Sequence, residues 1–172
     1  MESNIKAYRL VNLSKYEEKV KKDGYINFRR GNFIPEKNLS EKKNKKRKNK
    51  KKVILIVDDE PLILDLTEKF LKLGNFEIIT SSNAIEAIKV IEGRHTDISL
   101  ILLDDMMPGR SGMDVLRQIR AEDRYNHILV VLFTLKNFDE DIQKAQALGA
   151  DGYIGKPFSG KKLLKYVQNM LQ

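Results

Sequence analysis

The sequence has no cysteine and no tryptophan, and only four prolines in 172 residues. Without cysteine neither a disulfide staple nor a thiolate metal centre can form, which fits a reducing cytoplasm. No apolar stretch reaches the roughly 18 residues that a membrane-spanning helix needs. The opening residues MESNIKAYRL lack the basic and apolar zones of a secretory signal. The expected location is therefore cytoplasmic. Histidine is almost as scarce: His95 and His127 are the only two. Both fall at predicted surface turns without a partner at metal-ligand spacing, so neither is given a role. There is no internal repeat.

Charge is divided unevenly. Residues 1–52 hold 18 Lys/Arg against 6 Asp/Glu, while residues 53–172 hold 14 against 18. A strongly basic arm therefore precedes a mildly acidic domain. Nine of the twelve residues in 41–52, EKKNKKRKNKKK, are basic. Self-repulsion and the lack of apolar groups keep such a run solvated, so it reads as a linker. It is also suited to contact with nucleic acid through counterion release, or with an anionic lipid surface. No aromatic residue is interleaved, which argues against base stacking by the run itself. Within residues 1–40, Tyr8, Leu10, Leu13, Tyr16 and Val20 fit one side of a short helix. Tyr25, Ile26, Phe28, Phe33 and Ile34 flank Gly31-Asn32 as in a small hairpin. Some 40 residues cannot easily bury a core of their own. Two readings stay open: a partly ordered extension, or a docking element for a partner or a second copy of the chain.

From residue 53 onward strands and helices alternate. Val53–Val57 (VILIV) is a continuous apolar run, the mark of a strand buried on both faces. Asp58-Asp59-Glu60-Pro61 ends it, and Leu62, Leu66, Phe70 and Leu73 recur at helical spacing up to Gly74. Phe76–Thr80 is the second strand. Asn83 caps a helix expected to stop at Gly93. Ile98–Leu103 is the third strand, followed by a helix from about Met113 to Ala121. Ile128–Phe133 is the fourth strand, and Asp139–Leu148 is helical. Gly152–Gly155 is a short fifth strand, and Leu163, Leu164, Val167 and Leu171 mark the last helix. Five such repeats predict an α/β fold, a doubly wound five-stranded parallel sheet with helices on both sides. The predicted division is an extension over 1–40, a basic linker over 41–52 and one domain over 53–172. The series closes on its last helix, so no output domain is expected after it.

In sheets of this kind ligands gather at the carboxyl ends of the strands. The residues just beyond those ends are Asp58 and Asp59, Asp104, Thr134 and Lys156. Three carboxylates at one edge repel unless a cation neutralises them. Oxygen-only ligands suit Mg2+, which favours phosphate partners. A hydroxyl and an ammonium facing the acids would hold a phosphoryl group, so the edge is suited to phosphoryl acceptance by an aspartate.

These residues resemble the response-regulator receiver domain, similar to the chemotaxis response regulator. VDDEP at 57–61, LDDMMPG at 103–109, Thr134 and KPF at 156–158 carry the resemblance, which covers about 53–172. It implies a flavodoxin-like fold in which Asp104, four residues before Pro108, is the phosphoacceptor and Asp105 a bystander. It implies that Asp59 binds Mg2+ directly, Asp58 mostly through water, and Met106 through its backbone carbonyl. Thr134 would hydrogen-bond one phosphoryl oxygen and Lys156 pair with another, with a cis bond at Lys156–Pro157. Tyr153 stands at the switch-aromatic position. As Thr134 moves toward the phosphoryl group, Tyr153 would turn inward and remodel the face formed by the fourth helix, fifth strand and fifth helix. One departure is Leu135, where relatives carry a small residue; its bulk would narrow access to Asp104.

The implied function is signalling. A histidine kinase or phosphotransfer protein donates a phosphoryl group to Asp104, and the switched surface acts on a downstream protein target, with homodimerisation on phosphorylation as one mode. No enzymatic activity is expected beyond self-catalysed phosphotransfer and autodephosphorylation. A non-phosphorylated scaffold or nucleic-acid-associated adaptor working through the basic arm is the alternative, and a metal-dependent phosphatase a third option.

Overall fold

The computed structural model describes residues 22, 24–29, 32–33, 51–135 and 139–172. The basic run up to residue 50, the helix expected around Tyr8–Val20 and Ile34 lie outside them. Strand β1 (Tyr25–Arg29) and the two-residue β2 (Asn32–Phe33) precede the main series. That series runs β3 (Val53–Val57), α1 (Pro61–Lys72), β4 (Glu77–Ser81), α2 (Ala84–Arg94), β5 (Ile98–Leu103) and α3 (Gly112–Arg120). It continues with β6 (Leu129–Thr134), α4 (Asp139–Ala147), β7 (Gly152–Gly155) and α5 (Gly160–Met170). A short 3-10 turn, Asp123–Tyr125, leads into β6.

The five expected parallel strands pair in the order β4-β3-β5-β6-β7. β3 and β5 are buried along nearly their whole length, as their unbroken apolar runs require. From β3 the chain moves outward to β4, then crosses back to β5 on β3's other side. That reversal opens the crevice at the carboxyl ends of β3 and β5. One apolar cluster lies under α2, α3 and α4 and includes Ile91, Leu116, Ile119 and Ile142. The other lies under α1 and α5 and includes Leu71, Leu163 and Val167.

Two helices depart from their sequence reading. α2 runs through Gly93 to Arg94. Gly93 has open space around it and costs this exposed last turn little. In α1 the spacing identifies the helix but not its inner side. Leu62, Leu66 and Leu73 face outward and the Phe70 ring lies against Gly160 of α5, while Thr67 and Leu71 are fully buried. PLILDLTEKFLK carries two apolar stripes, and the one through Ile63, Leu64 and Leu71 packs on the sheet.

The larger difference is at the sheet edge. β1 pairs antiparallel with β7, adding a sixth strand, and β2 pairs antiparallel with β1. Ile26 and Phe28 are buried in the domain's core. This segment docks on its own domain.

Candidate functional site

Each pocket residue is set by the end of a strand. The β3 ladder continues one residue further, with the Asp58 amide donating to the Ser81 carbonyl at 3.1 Å. The Asp104 amide likewise donates to the Val57 carbonyl at 2.9 Å. The two carboxylates thus leave adjacent strands side by side, both buried. Asp59 follows, half-buried, and oxygens of Asp58, Asp59 and Asp104 all lie within 4.8 Å of one another. Lys156 enters from beyond β7. Its amide donates to the Thr134 carbonyl at 2.8 Å, which ties its loop to the end of β6. Its ammonium donates to Asp58 Oδ2 at 2.6 Å and Asp104 Oδ1 at 3.0 Å. The Lys156–Pro157 bond is cis.

The turn after β5 is built to hold Asp104. The Met106 amide donates to Asp104 Oδ2 at 2.9 Å. Asp105 is buried and turned the other way: its carboxylate accepts the Met113 amide at 3.0 Å, anchoring the first turn of α3. Gly112 lets that turn close, because a Cβ there would lie 2.2 Å from the Asp104 carbonyl oxygen. Thr134 is fully buried at the end of β6.

One ammonium serves two buried acids, and the charges reflect that. Burial is the main reason the Asp104 carboxyl sits above the usual carboxylate range. The Asp58 charge adds to it, and Lys156 offsets only part. Burial by itself pulls the Lys156 ammonium down, but its bond to Asp58 and the charge of Asp104 outweigh that and leave it above the ordinary lysine value. Three carboxylates and one ammonium, all ionised, carry a net charge of −2. A single dication cancels that charge, and an all-oxygen donor set suits Mg2+. Among the described residues this is the one group of three or more acidic or histidine side chains close enough to hold a metal.

Tyr153 is fully buried on β7. Burial, then the charges of Asp141, Asp105 and Asp104, hold its phenol far above the usual tyrosine value. Leu135 is 57% exposed. His127 Nε2 lies 2.8 Å from the His95 carbonyl oxygen. Two contributors escaped sequence reading. The Phe133 ring lies 5.0 Å from the Lys156 ammonium, and Phe158 packs edge-on against Phe133 at 4.7 Å. Phe158 stands in the KPF motif, but nothing local pairs it with Phe133.

The family model for the response regulator receiver domain matches residues 54–168. The chain belongs to the response regulator receiver family. Over 118 residues this receiver is 35% identical to the response regulator SaeR of Staphylococcus epidermidis, covering 69% of this chain and 49% of that one. It is 37% identical over 119 residues to the regulatory protein VanR of Enterococcus faecium, with coverage of 69% and 49%. The chain therefore spans about half the length of the curated relatives it matches. Among solved structures, the chemotaxis response regulator CheY4 of Vibrio cholerae superposes with a TM-score of 0.66 at 26% identity. That match covers 71% of this chain and all of the other. The receiver is thus the α/β, flavodoxin-like fold expected from the sequence, with the antiparallel strands β1 and β2 added at one edge. Among the described residues no helix is long and apolar enough to cross a membrane.

Proposed function

We propose that Asp104 accepts a phosphoryl group from a phosphohistidine on a histidine kinase or phosphotransfer protein. The observation that carries this reading is the shared cation: Lys156 bridges two buried carboxylates beside a third. Asp58, Asp59, Asp104 and the Met106 carbonyl would hold Mg2+, which when bound supplies positive charge to the oxygens of the transferring group. An Asp104 carboxylate oxygen attacks phosphorus, the P–N bond to imidazole breaks, and the ring nitrogen leaves with its electron pair to take up a proton. The product is an acyl phosphate, which water later cleaves to restore the carboxylate. Lys156 pairs with one phosphoryl oxygen, giving up part of its bond to Asp104, and the Thr134 hydroxyl donates to another. Tyr153 is the aromatic that responds.

The surroundings fit a protein donor. Leu62, Ile85, Met106 and Leu135 are all exposed, and each follows the carboxyl end of a sheet strand. Exposed apolar residues beyond the strand ends suit contact with a protein partner. Output is assigned to a protein partner. Residues 53–172 form the receiver, with 41–52 a basic linker and 1–40 an extension that contributes β1.

Beryllofluoride with Mg2+, a stand-in for PO3 on a carboxylate, tests the reading. The wild-type protein should bind it with a change around Thr134 and Tyr153 seen by NMR, and Asp104→Asn should not. An equal response in both proteins would overturn the assignment.

A further inference from the structure

A five-stranded sheet would end at β7 and leave Tyr153 on an edge strand with one flank open. Here β1 fills that flank. Its register sets Tyr25 opposite Ile154, Ile26 opposite Tyr153 and Asn27 opposite Gly152. The Phe28 amide donates to the Asp151 carbonyl at 2.7 Å, and the Gly155 amide to the Gly24 carbonyl at 3.0 Å. Opposed residues of an antiparallel pair project to the same face with Cβ atoms about 5 Å apart. Ile26 therefore stands beside Tyr153. Both are fully buried, in one cluster with Phe28, Ile142 and Ala145 beneath α4.

The strand's other face is gripped by α5. The Tyr25 ring lies 4.6 Å from that of Tyr166, and the Tyr166 hydroxyl donates to the Ile26 carbonyl at 3.2 Å. Gly152 makes room for this contact, since a Cβ there would lie 2.0 Å from the Tyr166 hydroxyl oxygen and 3.0 Å from the Ile26 carbonyl oxygen. The seat for β1 is thus shaped on both faces, by Tyr153 on one and Tyr166 on the other.

We propose that β1 is an internal ligand of the switch face, and that Ile26 is a positioning residue that holds Tyr153 inward and so strengthens phosphoryl binding at Asp104. The inference rests on the phosphoacceptor reading above. An outward swing of Tyr153 must displace an apolar side chain packed against it. Pocket charge and edge strand then bias the same aromatic from two sides, and linkage requires that each strengthen the other.

The test uses the full chain and two titrations, Mg2+ alone and beryllofluoride at saturating Mg2+. Ile26→Ala should weaken beryllofluoride binding by about tenfold, within the ordinary range of coupling. Its Mg2+ affinity should stay unchanged, and Ile26→Val should restore most of the loss. Unchanged or tighter beryllofluoride binding in Ile26→Ala, or an equal loss in both titrations, overturns the proposal. If circular dichroism shows Ile26→Ala unfolded, Tyr166→Phe decides. Removing one hydroxyl loosens β1 without opening the core, so a smaller loss confined to beryllofluoride supports the proposal and no loss overturns it. A wild-type protein that fails to bind beryllofluoride overturns the phosphoacceptor reading instead, so the two failures are distinguishable.

Discussion

Lys156 and Asp104 stand 52 positions apart in the chain and meet at 3.0 Å inside the protein, with both side chains almost wholly buried. Asp58 shares the same ammonium at 2.6 Å. Replacing Lys156 by Met keeps much of the side chain's bulk and removes its charge. Two buried carboxylates are then left without their cation, a change that costs about 3–5 kcal/mol when a buried pair is broken. Urea unfolding at neutral pH should show that loss. Mg2+ should restore part of it, and acid should shrink it as the carboxylates protonate.

Asp104 predicts an opposite sign. Its folded pKa lies above the usual range, chiefly through burial, so ionising it weakens the metal-free fold. Its contribution to stability is present below the ordinary carboxylate pKa of about 3.9 and is lost as pH rises through the folded value. Asp104→Asn should therefore raise the metal-free melting temperature at neutral pH. The gain should fade as pH falls through the folded value and be gone below about 3.9. Differential scanning calorimetry across pH 3 to 7, set by that range, checks both signs.

Lys156 sets the alkaline limit. Its folded pKa is raised, so its share of stability is complete below the ordinary lysine value of about 10.4 and is lost as pH climbs through the folded one. The wild-type protein should lose stability there more steeply than Lys156→Met, as measured by urea midpoints above and below about pH 10.4.

Cation binding to the native pocket stabilises by mass action. Mg2+ at about 100 times its Kd should add about 2.7 kcal/mol. Asp59→Asn removes one of the three clustered carboxylates and should shift the Mg2+ dependence of the melting temperature to higher concentration. An unchanged dependence in that variant would remove Asp59 from the ligand set.

Much of the fold was legible because its signals are local. The bounds expected for β3, Val53–Val57, for β5, Ile98–Leu103, and for β7, Gly152–Gly155, match the structure. Each is a short run closed by turn residues. Other elements shift by a residue or two, as helix and strand ends commonly do. The pocket was legible for a different reason. A doubly wound sheet places its strand ends together, so Asp58, Asp59, Asp104, Thr134 and Lys156 could be gathered from topology alone. What escaped were facts about long-range partners. Ile26 belongs to an apolar hairpin by its own sequence, but nothing near it names Tyr153, which lies opposite it on β7. Nor does spacing decide which of two stripes α1 buries, so Leu62 and Leu66 turn out to face water. Asp105 looked idle because its partner, the Met113 amide, lies eight residues on in the next helix.

The central claim is that Asp104 carries the phosphoryl group. Incubating the protein with Mg2+ and a small-molecule phosphoryl donor, trapping the acyl phosphate by borohydride reduction and mapping the peptides tests it most directly. The account predicts homoserine at position 104 and no reduced residue in Asp104→Asn. Reduction at Asp58, Asp59 or Asp105 instead, or equal labelling of the Asn variant, would contradict it.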